Sequence, residues 1–227
     1  MRIASYNIRK AVGLDWRRDP HRIVDVIAEL NADVVALQEA DKRIGERAGV
    51  LPLDQLEEEH GYHLAGLSTG GLSHGWHGNA ILYRTSSLRN PVTERLVLPA
   101  REPRGAICAF FEENNFEVIG AHLALTAGIR LKQIQTLCTH AASSGRPTII
   151  AGDFNHWGRH LPAGPHQVVT PGLSFHASRQ IAALDRFILL GGVTVVASHV
   201  HRSLNARRAS DHLPVVLDCE IKSGRLS

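Results

Sequence analysis

The strongest constraint on the fold comes from short apolar runs that each end in a carboxylate, an amide or an imidazole. The run "TIIAGDFN" ends in Asp153 and Asn155, which are expected to share one face of an extended strand, with Phe154 anchored on the other side. The run "RIASYN" ends in Asn7. Two further runs end at Glu39 in "VVALQE" and at His122 in "VIGAH". Apolar runs of this length predict β-strands. Their repeated polar ending predicts a functional site along one edge of a sheet, where side chains are held in a rigid frame.

Helices are predicted between these strands. Asp19 and Pro20 are typical of a helix cap and a first helical position, so a helix is expected to follow them. A second helix is predicted from a cap at Thr126 to about Ser143, with Gly145 ending it. A third, short acidic helix is predicted over 53–60.

Strands outnumber the helices. They are predicted over 62–67, 79–83, 104–111 and 116–122, and in the segments "LDRFILLG", "VTVVASHV" and "HLPVVLDCEI". Interspersed strands and helices of this kind indicate an α/β or α+β fold built on large sheets.

Length and composition set broad limits. A chain of 227 residues predicts a single domain over 1–227, and 44% hydrophobic with 21% charged residues excludes a disordered chain. The start "MRIASYNI" shows no secretory signal, and no apolar stretch reaches the ~20 residues that span a bilayer. We therefore expect a cytoplasmic protein without stable membrane insertion. Its three cysteines are predicted to be reduced core residues.

The polar strand endings share a chemical character. Their oxygen-bearing side chains suit Mg²⁺ or Mn²⁺, which bind through carboxylates and substrate phosphate. Two histidines add proton transfer near neutral pH. The combination predicts metal-assisted hydrolysis of a phosphate ester. The residues at strand ends are Asn7, Glu39, His122, Asp153 and Asn155, and Asp211 and His212 join them from just before the predicted strand of "ASDHLPVV".

Seven short motifs occur in the order typical of one known group of enzymes. They are "SYNIR", "LQEAD", "GNAILYR", "AHLALTAGIRLKQ", "AGDFN", "LDRF" and "ASDHLPV". Through them the chain resembles the endonuclease/exonuclease/phosphatase superfamily, which includes DNase I-like nucleases, neutral sphingomyelinases and inositol-phosphate phosphatases. The resemblance implies a four-layer α/β sandwich of two mixed β-sheets, packed face to face and flanked by helices.

The resemblance also implies a metal side of the site. Glu39 resembles the principal metal ligand, with Asn7 beside it, and Asp211 resembles a further metal-side carboxylate. Some nuclease members carry an acidic residue where this chain has Arg9. A metal arrangement that depends on that acid is not expected here, and Arg9 is a candidate to grip a phosphate.

The resemblance implies a catalytic side as well. Asp153 resembles the residue that positions or deprotonates the attacking water, and Asn155 its partner on the phosphate. His212 resembles the histidine that contacts the scissile phosphate, and Asp185 the carboxylate that orients it. His122 resembles the histidine that assists the leaving group.

Other residues allow two interpretations. Asn79 either binds phosphate or only supports the site, and Arg104 either binds phosphate or is a solvated charge at the start of a strand. The basic loop from Arg202 to Arg208 either contacts a phosphate backbone or is a solvated loop. Trp76 and Trp157 either stack on a base or headgroup, or simply pack.

Taken together, the sequence predicts a Mg²⁺-dependent phosphodiesterase of nuclease type, with Mn²⁺ as a substitute. In-line attack of an activated water is the expected reaction. A phosphate ester is the expected partner, with nucleic acid as one candidate. The alternatives are a sphingomyelinase-like or inositol-phosphate phosphoesterase and a catalytically silent binding module. The sequence leaves open the physiological substrate, diester against monoester preference, one metal or two, and the oligomeric state.

Overall fold

The computed structural model describes residues 1–42, 48–66, 72–100 and 104–222, without the side chain of Arg104. These residues form two six-stranded mixed β-sheets. The sheets pack face to face around a continuous apolar core, and helices lie on their outer sides. The predicted four-layer α/β sandwich is therefore confirmed.

The first sheet has a parallel pair at its centre. Its strands, in spatial order, are β11 (Val193–Val200), β12 (Val215–Ile221), β1 (Arg2–Asn7), β2 (Val34–Gln38), β4 (Ala80–Arg84) and β3 (Tyr62–Leu64). Only β1 and β2 run parallel, and the other pairs are antiparallel.

The second sheet has the same plan. Its strands, in spatial order, are β5 (Val92–Leu98), β6 (Arg104–Phe111), β7 (Phe116–His122), β8 (Thr148–Asp153), β10 (Asp185–Leu190) and β9 (Gln167–Val169). Here β7 and β8 form the parallel pair.

The central pairs of the two sheets face each other, with β1 against β8 and β2 against β7. The approach is close at Gly120 in β7, where an added Cβ would lie 3.5 Å from the Cβ of Ala36 and 3.4 Å from Ile81. Because the carboxyl ends of β1, β2, β7 and β8 all reach one edge of the sandwich, the predicted polar strand endings share that edge.

Four helices complete the described fold: α1 (Pro20–Leu30), α2 (Leu53–His60), α3 (Ala127–Ser144) and α4 (Ala206–Ala209). Asp19 caps α1 as predicted, because its side chain accepts a hydrogen bond of 3.1 Å from the backbone N–H of Arg22. Thr126 lies at the cap position of α3 but makes no side-chain capping bond, so that part of the prediction was wrong. Gly145 ends α3 in the left-handed conformation, as expected.

Three features of the strands differ from the prediction. Edge strand β5 was missed because six of its seven side chains are partly or fully exposed, which weakens the apolar signal. Edge strand β9 was missed because it has only three residues. Strand β3 ends at Leu64 rather than at residue 67, and residue 67 lies outside the described part of the chain.

We expect Asp19→Ala to lower the free energy of unfolding by about 1 kcal/mol, the usual effect of losing an N-cap. The side chain holds the first turn of α1 and also lies 3.3 Å from the Arg22 guanidinium. Urea unfolding monitored by circular dichroism measures the change. Asp25→Ala, at an exposed position in the same helix, is the matched control and should have little effect.

Candidate active site

A hydrogen bond joins the two sheets at the edge where the central strands end. The Asn7 side-chain amide at the end of β1 donates to Asp153 Oδ2 at the end of β8, over 3.1 Å. Both side chains are nearly fully buried. The structure therefore brings together two residues that lie 146 positions apart in the sequence.

Asp153 is the centre of this cluster. Its Oδ1 accepts a 2.9 Å hydrogen bond from the backbone N–H of Asn155. Its Oδ2 faces two imidazoles, with His122 Nε2 at 3.4 Å and His212 Nε2 at 3.7 Å. A single carboxylate thus contacts an amide, a main-chain donor and two ionisable rings.

Asp185 orients His212. The His212 Nδ1 lies 2.8 Å from Asp185 Oδ2, and Ser174 Oγ donates to the same oxygen over 2.6 Å. Phe175 packs on the imidazole, with ring centroids 4.9 Å apart. Since β10 begins at Asp185 and lies beside β8, the pair is fixed next to Asp153.

The charge state of this pair follows from its surroundings. Burial of the His212 ring disfavours its charged form, but the carboxylates of Asp185, Asp153 and Asp211 outweigh that cost and raise the pKa of His212 to about 10. Burial raises the pKa of Asp185, and His212 and Ser174 act in the opposite direction. The raised pKa of His212 favours an imidazolium at neutral pH, in which Nδ1–H donates to Asp185 and Nε2–H faces Asp153 Oδ2.

Asn155 reaches the cluster by a different route from the one that strand alternation suggests. Strand β8 ends at Asp153, and Asn155 adopts a left-handed backbone with φ of 49°. Its side-chain amide donates to the Leu123 carbonyl over 2.9 Å, which leaves its carbonyl oxygen for other partners. The expectation that Phe154 is anchored in the core is confirmed, since it is fully buried.

Glu39 directly follows β2 and is held by a cation. The Lys10 ammonium forms an ion pair with Glu39 Oε2. Burial acts to raise the pKa of Glu39, but the hydrogen bond from Lys10 and the charges of His122 and His212 bring that pKa below its usual value. Glu39 is ionised, as a metal-binding carboxylate has to be.

Asp211 lies on the same side and also faces a positive charge. The Arg9 Nε lies 3.4 Å from Asp211 Oδ2. Arg9 stacks at 4.6 Å over the ring of Trp16. Arg9 stands where some nuclease members have an acidic residue. It therefore places a guanidinium beside Asp211, one of the carboxylates that the resemblance assigns to the metal.

The two less specific candidates lie on neighbouring elements. Asn79 immediately precedes β4 and is buried, and its amide donates to the Gly105 carbonyl over 2.9 Å. Its carbonyl oxygen is buried and has no hydrogen-bond partner among the described residues. Arg104 begins β6, and its side chain lies outside the described part of the structure.

The basic loop contains a feature that the sequence did not indicate. Residues Ala206–Ala209 form the short helix α4, which packs against α1, while the side chains of Arg207 and Arg208 are exposed. The Arg208 carbonyl accepts hydrogen bonds from Leu14 N and Arg22 Nη1. The backbone of this loop is therefore structural, and its exposed guanidinium groups are free to face solvent.

Sequence reasoning missed four residues of the site. Lys10 approaches Glu39 because residues 9–11 all have positive φ, a turn without a glycine signal. Ser174 and Phe175 come from a long loop with no periodic pattern. Ser210 donates to the Asn7 carbonyl over 2.7 Å, and its place directly before the "DH" of "ASDH" was the only available signal.

The donor set fits a hard divalent cation. Glu39, Asn7 and Asp211 offer carboxylate and amide oxygens, the ligands that Mg²⁺ prefers. The ammonium of Lys10 already lies on Glu39, so positive charge is favourable at this position. Asp153, Asp185 and His212 also have ligand atoms within 4.8 Å of one another and form a second candidate group for a cation, in which His212 Nδ1 is hydrogen-bonded to Asp185 Oδ2.

Fold and site together define a class of protein. The sequence model of the Endonuclease/Exonuclease/phosphatase family matches residues 4–212, so the chain belongs to that family. UPF0294 proteins of Yersinia pseudotuberculosis and Yersinia pestis are 32% identical over 104 residues. That match covers 43% of this chain and 38% of each relative, so it spans well under half of their length.

Solved structures share the fold along nearly the whole chain. An endonuclease/exonuclease/phosphatase from Beutenbergia cavernae is 21% identical, with a TM-score of 0.70 over 100% of this chain and 73% of its own. The mannosyl-6-phosphatase Bt3783 of Bacteroides thetaiotaomicron is 19% identical, with a TM-score of 0.67 over 97% and 100%. D. rerio TDP2, complexed with a single strand DNA product, is 18% identical, with a TM-score of 0.69 over 97% and 98%.

No helix in the described part of the chain is long and apolar enough to cross a membrane.

Proposed function

We propose that this chain is a divalent-metal-dependent phosphodiesterase that cleaves its substrate by in-line attack of an activated water. The observation that supports the proposal most is the meeting of the Asp153 carboxylate and the His212 imidazolium, 3.7 Å apart, where the central strands end. A base for water and a cationic donor for phosphate are thereby present in one small site.

The water-activating role falls to Asp153. Donors from Asn155 and Asn7 fix the orientation of its two oxygens, at 2.9 and 3.1 Å. Asp153 Oδ2 is also the atom that both histidine rings face. A carboxylate held in this way accepts the proton of the attacking water, a contribution of about 10²–10⁴-fold in rate.

The negative charge that develops on the phosphate is met by His212. Its Nδ1–H is held by Asp185, so its Nε2–H is directed into the cleft and donates to a phosphate oxygen. The Asn155 side chain binds the phosphate beside His212. His122, which also faces Asp153 Oδ2, assists the leaving group. Preorganised donors of this kind each contribute about 10²–10³-fold.

Glu39, with Asn7 and Asp211, is the proposed holder of Mg²⁺, for which Mn²⁺ is the expected substitute. A cation bound there supplies charge neutralisation at a phosphate oxygen. Arg9 adds a fixed positive charge next to Asp211 and is the proposed phosphate-gripping residue. Asn79 and Arg104 are proposed as further phosphate contacts.

A nucleic-acid strand is the proposed substrate class, and two exposed tryptophans beside the site support it. Trp157 is 61% exposed and reaches His212 through Phe175, at 6.0 Å and then 4.9 Å between ring centroids. Trp16 is 78% exposed and carries Arg9 on its face. Aromatic faces next to a phosphate-cleaving centre stack on bases. D. rerio TDP2, which has this fold, is seen with single strand DNA.

A phospholipid or sugar phosphate is the second candidate. Leu125, just beyond His122, is 74% exposed, and Ile181, hydrogen-bonded to Phe175, is 58% exposed. Apolar side chains around a polar centre also suit a lipid headgroup at a membrane surface. The fold is shared with a mannosyl-6-phosphatase, which supports a small phosphomonoester.

A catalytically silent module is the least favoured alternative, because such a chain is expected to have lost members of the site. Here the carboxylates, amides and histidines that the proposal assigns to both sides are all present in the sequence, which supports an active enzyme. The single domain over 1–227 and the cytoplasmic location stay predictions from the sequence.

A substrate panel tests the proposal. The purified chain, stripped with a chelator and then supplied with Mg²⁺ or Mn²⁺, is incubated with single-stranded DNA, duplex DNA, RNA, phospholipid vesicles, sugar phosphates and chromogenic mono- and diesters. We expect hydrolysis of the diester and of single-stranded DNA only after the metal is restored. The reason is that the cation proposed at Glu39, Asn7 and Asp211 neutralises negative charge on the phosphate.

Each other outcome has a definite meaning. Absence of metal-restored hydrolysis on every phosphate ester rejects the proposed enzyme. Hydrolysis confined to sugar monophosphates or to lipids keeps the phosphoesterase but rejects the nucleic-acid substrate. Asp218→Asn, on β12 and outside the site, serves as the control for intact folding, because Asp218 forms its ion pair with Arg2.

A further inference from the structure

A second cluster of ionisable side chains lies on the outer face of the second sheet. It comprises Cys108 on β6, Glu117 on β7 and His140 on α3, and their ligand atoms all lie within 4.8 Å of one another. Glu117 precedes His122 by five positions on the same strand, which corresponds to about 16 Å at the usual rise per residue. The cluster is therefore separate from the strand-end site.

Sheet register and helix packing create the cluster. Cys108 pairs with Ile119, and Phe110 pairs with Glu117, so Cys108 and Glu117 are diagonal neighbours on one face. Helix α3 covers that face, and Leu137 packs there in the apolar core. His140 lies one turn beyond Leu137 and therefore points its ring towards the same place.

The distances match those between ligands of one small ion. His140 Nε2 lies 3.6 Å from Cys108 Sγ and 4.0 Å from Glu117 Oε1, so one nitrogen faces both other ligands. Sulfur and nitrogen ligands of a tetrahedral zinc ion, with bonds of about 2.3 and 2.0 Å, lie about 3.5 Å apart. The Glu117 oxygen, at 4.0 Å from the imidazole nitrogen, has to move by about 0.6 Å to reach the spacing of about 3.4 Å between nitrogen and oxygen ligands of such an ion.

The protein does little to stabilise a negative charge on the buried Glu117 carboxylate. Glu117 is 3% exposed, and its hydrogen bond from Thr148 Oγ1 is long, at 3.4 Å. The same hydroxyl lies 3.1 Å from the Arg146 carbonyl, and its single proton serves one acceptor at a time. A buried acid in this state favours a bound cation.

The electrostatics of the cluster agree with the geometry. Burial raises the pKa of Glu117, although His140 and Arg146 oppose it. Burial raises the pKa of the Cys108 thiol far above its ordinary value, and the charges of Glu117 and Glu94 add to the effect. A divalent cation binds the deprotonated carboxylate and thiolate, so it lowers the two pKa values that burial raises.

We propose that Cys108, Glu117 and His140 bind one Zn²⁺ ion, with a water molecule as fourth ligand. A thiolate with an imidazole selects zinc over magnesium, so the site differs in kind from the oxygen-rich active site. Binding releases the thiol proton, and any proton on Glu117, to solvent. His140 is partly exposed and borders a surface hollow of about 520 Å³, so solvent reaches the cluster on the side of this ligand. The ion fastens α3 to the sheet.

Cobalt substitution tests this proposal. The full chain is stripped of metal and titrated with Co²⁺, with Glu39→Gln as the background so that the active-site carboxylate does not contribute. We expect thiolate-to-cobalt charge-transfer absorption that saturates at one equivalent and disappears when Zn²⁺ is added. His140→Ala should weaken the affinity for Co²⁺ by more than about 100-fold. Substituting residues that only hydrogen-bond to metal ligands already lowers metal affinity about 10–100-fold, and His140 is itself a proposed ligand.

The cysteines provide matched controls. Cys219→Ser removes another buried free thiol, in the other sheet, and should leave the absorption unchanged, whereas Cys108→Ser should abolish it. No charge-transfer band, or an unchanged band in both Cys108→Ser and His140→Ala, overturns the proposal and leaves a hydrogen-bonded trio without metal. His140→Ala carries the test if Cys108→Ser does not fold, because His140 is partly exposed.

Discussion

Asp153→Asn is expected to lower phosphodiester turnover by about 10²–10⁴-fold, the usual contribution of a general base. The substitution keeps the size of the side chain and the Oδ1 acceptor for the Asn155 N–H. It removes the charge that faces His122 and His212 and the capacity to take a proton from water. Because the change acts on the chemical step, kcat should fall far more than KM changes.

Steady-state kinetics on a chromogenic diester with saturating Mg²⁺ measure the effect. Asp218→Asn is the control, since it removes a charge from the surface pair with Arg2 and leaves the strand-end site intact. Urea unfolding of both variants separates a catalytic loss from unfolding. Retention of more than a tenth of the wild-type kcat by a folded Asp153→Asn variant would contradict the assigned role.

The part of the site that the sequence predicted is the part built from strand ends. Asn7, His122 and Asp153 each end a strand of a central parallel pair, so a local apolar pattern was sufficient to place them at one edge. Glu39 follows the fourth such strand. The two parallel pairs of strands face each other across the core and bring the ends of the four strands together. This agrees with the prediction of a site along one sheet edge.

The rest of the site depends on contacts that no local pattern encodes. Asp185 and His212 are 27 positions apart, and only the family resemblance suggested pairing them before the 2.8 Å contact was seen. Lys10 reaches Glu39 through three consecutive left-handed residues, and Ser174 comes from a loop without periodicity. Alternation along an extended strand gave the wrong geometry for Asn155, because its φ of 49° turns the chain away after β8.

The same reasoning explains the errors in the fold. Periodicity detects strands that bury one or both faces, as β1, β2, β7 and β8 do. It fails at sheet edges, where β5 leaves six of its seven side chains partly or fully exposed. Edge strands pair through their backbone and need little apolar surface, so their sequences carry little of the signal on which prediction depends.

His212→Asn is expected to lower turnover by about 10²–10³-fold, because it removes a preorganised cationic donor to the phosphate. It should also change the dependence of stability on pH. In the folded chain the pKa of His212 is raised to about 10 from its ordinary value of 6.5, so the folded state holds a proton that the unfolded state loses as pH rises. The stabilisation is complete below about pH 6.5 and is lost as pH rises towards 10.

The free energy of unfolding of the wild type should therefore fall between about pH 6.5 and pH 10, by no more than about 5 kcal/mol at 1.36 kcal/mol per unit of pKa shift. The curve of His212→Asn should be flatter over that interval. Urea unfolding at a series of pH values measures both curves, and His21→Asn, at an exposed position on α1, is the matched control. Equal slopes for the wild type and His212→Asn would show that the buried ring is neutral in the folded chain, and the imidazolium would then have to be removed from the proposed mechanism.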